Sequence, residues 1–188
     1  PFCNSISTLS RANIGPNNGK KINLKDKVFF KKDRQQKNNF SIDVLSEKNN
    51  VIRVLKGPQF NYFSKTAQKE FFSQEYKITN LTDRMGMRLE GKGLENIVST
   101  NIRSEGITKG AIQVPEDGQP IVLLTDHPTI GGYPKIANVI SSDYDLLVQK
   151  IPGTNIEFKC IELKEAEEAF KIYYDKISKD LNNISILK

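Results

Sequence analysis

The 188 residues carry a formal charge of +6, with 37% hydrophobic and 27% charged side chains, the balance of a globular chain able to bury a sizeable core. No apolar run approaches the length that spans a bilayer, and the opening PFCNSISTLSRANIG lacks a basic segment followed by an apolar one, so neither membrane span nor signal peptide is predicted. Basic residues alternate with Asn, Gln and acids and form no RNP, zinc-finger or helix-turn-helix pattern, so nucleic acid is not an expected partner.

Cys3 and Cys160 stand far apart and outside any CxxC pair, and there is one histidine. Two reduced thiols in a cytoplasmic protein, and no metal site, are the expectation, with a disulfide left open.

In chain order, residues 1–30 read as short extended pieces around the turn GPNNG, ending in the strand-like run DKVFF. A start at Pro1 inside such material is that expected of a fragment. Residues 31–50, rich in Lys, Gln and Asn, read as an exposed loop or linker. Val51 to Gly57 alternates as a half-buried strand should, and Pro58 stops it. Phe60, Phe63, Ala67 and Phe71 follow at helical spacing, with Ser64 placed as N-cap. YKITNLTDRMGMRLEG reads as two extended segments around Asp83-Arg84-Met85-Gly86.

GAIQV and PIVLL are strands separated by the reverse turn Pro115-Glu116-Asp117-Gly118. SSDYDLLVQ starts with capping residues and makes a short helix, and TNIEFKCIEL is a strand. The final helix carries Ala166, Phe170, Tyr173, Ile177 and Leu181 as one apolar stripe, with acids early and lysines late. Many short strands and few helices predict a mainly β barrel or sandwich with peripheral helices.

Two segments carry the candidate chemistry. In TDRMGMRLEG, Arg84 is either a fork for a carboxylate or carbonyl oxygen, or part of a hairpin set by Asp83 and Arg84. In TDHPTIGGYPK, Pro128 denies His127 the α region, so the turn is extended. Gly131 and Gly132 there either present N–H groups to an anion or form a Gly-Gly β-turn. Asp126 is placed to orient a substrate N–H, to take a proton, or to cap that turn, and Lys135 brings positive charge. His127, alone on an exposed loop, is a weak candidate. No Walker loop, GxSxG or HExxH occurs in the sequence.

The strings IRVLKGPQF, TDRMGMRLEG, GAIQVPEDGQPIVLLTDHPTIGGYPKIANVISSD and ELKEAEEAF together resemble the biotin-dependent carboxyltransferase family, also known as allophanate hydrolase subunit 2. Its members include the C-type subunit of 5-oxoprolinase, the KipA-like antagonist of a sporulation kinase inhibitor, and the carboxyltransferase part of urea carboxylase. The resemblance runs from about Ser5 to Phe170 and implies a cyclophilin-like β-barrel. Family domains are longer, with an N-terminal QDLGR-type motif that this sequence does not contain, so residues 1–188 resemble the C-terminal part of the domain. GPNNGKKINLKDKV resembles a family GGxxGRxLxxGD stretch, with Pro16 and the lysines blurring it and Asp26 in place of a Gly.

Carried over, the family motifs fall on Arg84 and Asp126 as catalytic candidates. They fall on Gln113, Thr129, Gly131, Gly132, Tyr133 and Lys135 as substrate-binding candidates. His127 stands where relatives often carry arginine.

The resemblance implies a subunit of ATP-dependent 5-oxoprolinase, converting 5-oxoproline to glutamate. Partners would be an allophanate hydrolase subunit 1-type (KipI-like) subunit and a lactam-hydrolase subunit, with ATP bound through the complex. The alternatives are carboxyl transfer from carboxybiotin to urea or a related amide, and a non-catalytic regulator that binds a KipI-like partner.

Overall fold

The structure, a computed structural model, describes residues 7–29, 39–41, 49–182 and 185–187. The chain divides into two compact units, residues 1–39 with 187–188 and residues 40–186. In the first, the GPNNG turn is present as a short 3-10 segment, Pro16–Gly19. Asn17 and Asn18 sit there at positive φ, where a short polar side chain is tolerated. The run expected to be a strand after it is not one over Asp26–Phe29. Lys25 stands at φ 81, and Asp26 Oδ2 accepts the Asn23 N–H at 2.7 Å, closing a local turn instead. Most of the expected linker lies outside the described residues, but Asn39–Ser41 forms a short strand, β1.

The second unit is a closed seven-stranded barrel. Its strands are β2 (Val51–Lys56), β3 (Glu75–Thr82), β4 (Gly86–Glu90), β6 (Ala111–Gln113), β7 (Ile121–Leu123), β9 (Lys135–Val139) and β10 (Asn155–Cys160), between which come β5 (Glu105–Gly106) and β8 (Ile130–Gly131). Around the barrel the order is β10-β2-β9-β6-β7-β4-β3. Every pair is antiparallel except β10–β2, where Glu157 faces Val51 in parallel register. A last strand, β11, spans Ser185–Leu187.

The alternation seen in the sequence decides which side chains enter. Ile52, Val54, Ile78, Met87, Leu89, Ile112, Val122, Ile136 and Ile156 are each at most 1% exposed, as period-2 strands around one core require. Helix α1 (Lys65–Ser73) starts where Ser64 Oγ accepts the Ala67 N–H at 3.1 Å. It buries Ala67 and Phe71, and the Phe71 ring stacks on Phe158 of β10 with centroids 4.9 Å apart.

Helix α2 (Ser141–Val148) departs from expectation, because its N-cap is Ile140 and no serine side chain caps it. Asp143 in its first turn instead grips Arg53 of β2 through two guanidinium bonds of 3.0 and 2.5 Å and accepts the Arg53 N–H at 2.8 Å. Helix α3 (Leu163–Asn182) is present as predicted, but its stripe is not core: Phe170, Ile177 and Leu181 are 46%, 38% and 57% exposed. α3 packs against α2 alongside Tyr173, whose hydroxyl donates to Asp145.

Outside the barrel wall, Ile107, Ala111 and Leu123, with Ile121 against them, make a second small apolar cluster. The antiparallel ribbon of β5 and β8 is tied to it where Ile107 N–H donates to Thr129 O at 3.1 Å. Among the described residues no helix is long and apolar enough to cross a membrane. Cys160 is a free thiol whose pKa burial pushes up, and Cys3 lies outside the described residues.

Candidate functional site

The sequence candidates separate into two groups. The first sits where the β4–β7 ladder runs on past the barrel, with Leu124 N–H on Met85 O and Asp126 N–H on Arg84 O at 2.8 Å. Asp83 Oδ1 accepts the Met85 and Gly86 N–H groups and sets the hairpin. Arg84 closes its fork on a carboxylate of the same chain, with Nε to Asp126 Oδ2 at 2.6 Å and a terminal nitrogen to Oδ1 at 2.9 Å. Hydrogen bonding from Arg84 holds Asp126 below the usual carboxylate range and raises Arg84 in return. Both side chains are solvent-exposed, at 77% and 40%, so the pair orients more than it stabilises.

The second group is buried. Gln113 of β6 and Lys135 of β9 are register partners, so their side chains leave the same face of the wall. With Ile112 and Ile136 turned inward, that face is the outer one, shared with Ala111 and Leu123. The Lys135 side chain is 6% exposed, and its ammonium pairs with Glu105 of the ribbon. Gln59 binds both: its Nε2 donates to Glu105 Oε1 at 2.7 Å, and its Oε1 accepts the Lys135 N–H at 3.2 Å. The hydrogen bond from Lys135, then that from Gln59, holds the Glu105 carboxyl below its ordinary pKa. Gly57 allows this approach, since a Cβ there would lie 2.3 Å from Lys135 O.

Gln113 Nε2 is buried without a hydrogen-bond partner, an arrangement that costs about 1–3 kcal/mol. A Cβ on Gly131 would stand 2.7 Å from that nitrogen. The Gly-Gly β-turn considered from the sequence is absent, because Gly131 is extended in β8 and neither glycine has positive φ. Gly131 is a glycine to make room for the Gln113 amide.

Thr129 and Tyr133 are exposed, and among the described residues their side chains make no hydrogen bond. His127 is held locally, Nδ1 lying 2.7 Å from Pro128 O. Among the described residues no hydrogen bond or ion pair joins the Arg84–Asp126 group to the Lys135 group, and no cluster of three or more metal-ligating side chains occurs. A polar cleft of about 340 Å³ lined by Lys77, Thr79, Glu90 and Pro152 contains neither group. Sequence reasoning missed Gln59 and Glu105. The Gly57-Pro58 break before Gln59 was a signal for the first, and nothing near Glu105 marked the second.

The architecture is that of a β-barrel domain with three buried polar residues, Gln59, Gln113 and Lys135, on the outside of the wall beside the β5–β8 ribbon. The chain belongs to the carboxyltransferase domain family (subdomains A and B), whose model matches residues 1–160. It is 36% identical over 177 residues to the C-type subunit of 5-oxoprolinase from Haemophilus influenzae, covering 93% of this chain and 57% of that protein. With the corresponding 5-oxoprolinase subunit of Escherichia coli it shares 32% identity over 190 residues, covering 97% and 60%. A urea amidolyase of Saccharomyces cerevisiae is 27% identical over 99% of this chain and 12% of its own length. The crystal structure of the K. lactis urea amidolyase superposes with a TM-score of 0.66 at 23% identity, over 71% of this chain and 9% of that one; that likeness shows the fold. The chain thus spans 57–60% of the length of the 5-oxoprolinase subunits it matches.

Proposed function

We propose that the chain is the C-terminal part of a subunit of a cytoplasmic, ATP-dependent 5-oxoprolinase, which opens 5-oxoproline to glutamate with partner subunits. The observation that carries this reading is the buried amide of Gln113, a donor without an acceptor at the strand position paired with Lys135, in a chain 32–36% identical to two such subunits.

A lactam offers a carbonyl oxygen to donors and an N–H to an acceptor. Gln113 Nε2 meets the oxygen, and the positive charge of Lys135 on the paired strand favours, through its field rather than a direct bond, the negative charge that grows there as the carbonyl carbon is attacked. Asp126, in the other group, keeps lone pairs outside the Arg84 fork for an N–H donor. Thr129, Gly132 and Tyr133 form the approach. Overall the C–N bond breaks, water supplies the hydroxyl of the new carboxylate, and the released nitrogen takes the proton. These residues contain no phosphate-binding loop, so nucleotide binding is assigned to the assembled complex, either to the KipI-like and lactam-hydrolase partners or to the part of the domain outside these residues.

A second reading, carboxyl transfer from carboxybiotin to urea or a related amide, is favoured by the family model and the urea amidolyase relatives. The test is ATP hydrolysis by the full-length protein mixed with its partner subunits. Stimulation by 5-oxoproline is expected. Stimulation by urea with a biotin carboxylase partner would replace the first reading by the second. Stable partner binding with neither response would leave a regulator.

A further inference from the structure

We infer that Gln59, Gln113 and Lys135 form a carboxylate-recognition site that the chain's own Glu105 fills as a placeholder, to be displaced by the carboxylate of an incoming ligand. Three donor side chains, each at most 8% exposed as residues, belong to one stretch of the outer wall, since Gln113 is the register partner of Lys135 and its amide reaches Gly131, the register partner of Glu105. Two of them, Lys135 Nζ and Gln59 Nε2, converge on a single oxygen, Glu105 Oε1. Charge-assisted donors converging on one carboxylate oxygen are what anion sites are made of.

The carboxylate and its donors differ in how firmly they are built in. Lys135 and Gln113 belong to the barrel wall, and Gln59 is fixed to it by its own N–H on Lys135 O at 3.2 Å. Glu105 comes instead from a two-residue strand paired with Ile130–Gly131 and flanked by the Ile102 N–H on Gly132 O and the Ile107 N–H on Thr129 O, but 44% of its side chain is exposed. Gly106, next to it, faces open space. Rotation of one exposed side chain therefore frees the buried donors without disturbing the wall.

The third donor specifies more than a carboxylate. Gln113 Nε2 lies beneath Gly131, the register partner of Glu105, and Glu105 leaves it unpartnered. The site is one acceptor short while Glu105 occupies it. The ligand class that satisfies all three donors is a small acid with an amide or ketone oxygen beside its carboxylate. Naming that acid as 5-oxoproline rests on the function proposed above.

A placeholder competes with the ligand, whereas a purely structural Glu105 would hold Lys135 ready for it, so removing Glu105 moves binding in opposite directions. Isothermal titration of the full-length protein would use 5-oxoproline, 2-pyrrolidone (the same ring without the carboxylate) and acetate. Glu105→Ala should bind 5-oxoproline and acetate about ten-fold more tightly, the effect of deleting one charge-assisted competitor, and leave 2-pyrrolidone unchanged. Glu105→Gln, which keeps the size, should shift the same way by less, and it carries the test if the alanine variant does not fold. Weaker binding of the acids, or an equal shift for acids and 2-pyrrolidone, would overturn the inference. Acetate binding separates the two proposals: tighter acetate binding with no 5-oxoproline-dependent ATP hydrolysis retires the 5-oxoprolinase reading and keeps the site.

Discussion

An ammonium group almost withdrawn from water must meet a carboxylate or lose its charge, and Lys135 meets Glu105. The carboxyl of Glu105 has a depressed pKa, so its contribution to stability is present above the ordinary value of about 4.3 and is lost as pH falls through the lower, folded-state value. Thermal melts of the wild type and Glu105→Gln should therefore differ near neutral pH and draw together progressively once the pH falls below about 4.3. A constant difference across that range would show that charge is not what Glu105 contributes. At Gly131 the prediction is steric: Gly131→Ala should push the Gln113 amide from its place, cost about 1–3 kcal/mol in urea unfolding and weaken lactam binding. Unchanged stability would mean that the amide has room to give way.

At this scale the sequence was half informative. Gln113, Lys135 and the glycines stood inside one long motif. Gln59 and Glu105 reach Lys135 from 76 and 30 positions away, and nothing local to either records a partner that distant.

Among the elements, those with their determinants inside them were the legible ones. The alternation over Val51–Lys56 and the Ser64 cap specify β2 and α1 from within a few residues. Helix α2 shows the opposite case, since the acid that anchors it works through β2 rather than through its own backbone. Arg53 and Asp143 stand 90 positions apart. Asp143→Ala should lower stability by about 2 kcal/mol, under the 3–5 typical of a fully buried pair, because the Arg53 side chain is 40% exposed. Denaturant melts read this directly, and a change below about 0.5 kcal/mol would make the contact ornamental. The stripe on α3 was a correct periodicity, and its exposure shows that periodicity gives the face of a helix and says nothing of what lies opposite it.

For the whole molecule, strand rhythm pointed to a β-rich barrel or sandwich and the family resemblance to a barrel, but which strands close it was invisible. Closure falls to β10, which bonds β2 on one side and β3 on the other and contributes Phe158 to the aromatic stack on Phe71. A chain ending at Gly153 should lose cooperative unfolding, since two core strands would be left with bare edges. A chain ending at Glu162, lacking α3, should keep it. Equal behaviour of the two in urea titrations would place the closing interaction elsewhere.

That late closure has a consequence during synthesis. Val51 waits for Glu157, so for more than a hundred residues of translation the growing chain carries a half-made barrel whose β2 edge can pair with anything extended nearby. Long-range parallel pairing is slow to form, and unpaired edges are where nascent chains stick to one another. A protein built this way depends on being shielded at the ribosome until its tenth strand emerges, and its yield in a cell should follow chaperone supply more closely than the stability of the finished barrel would suggest.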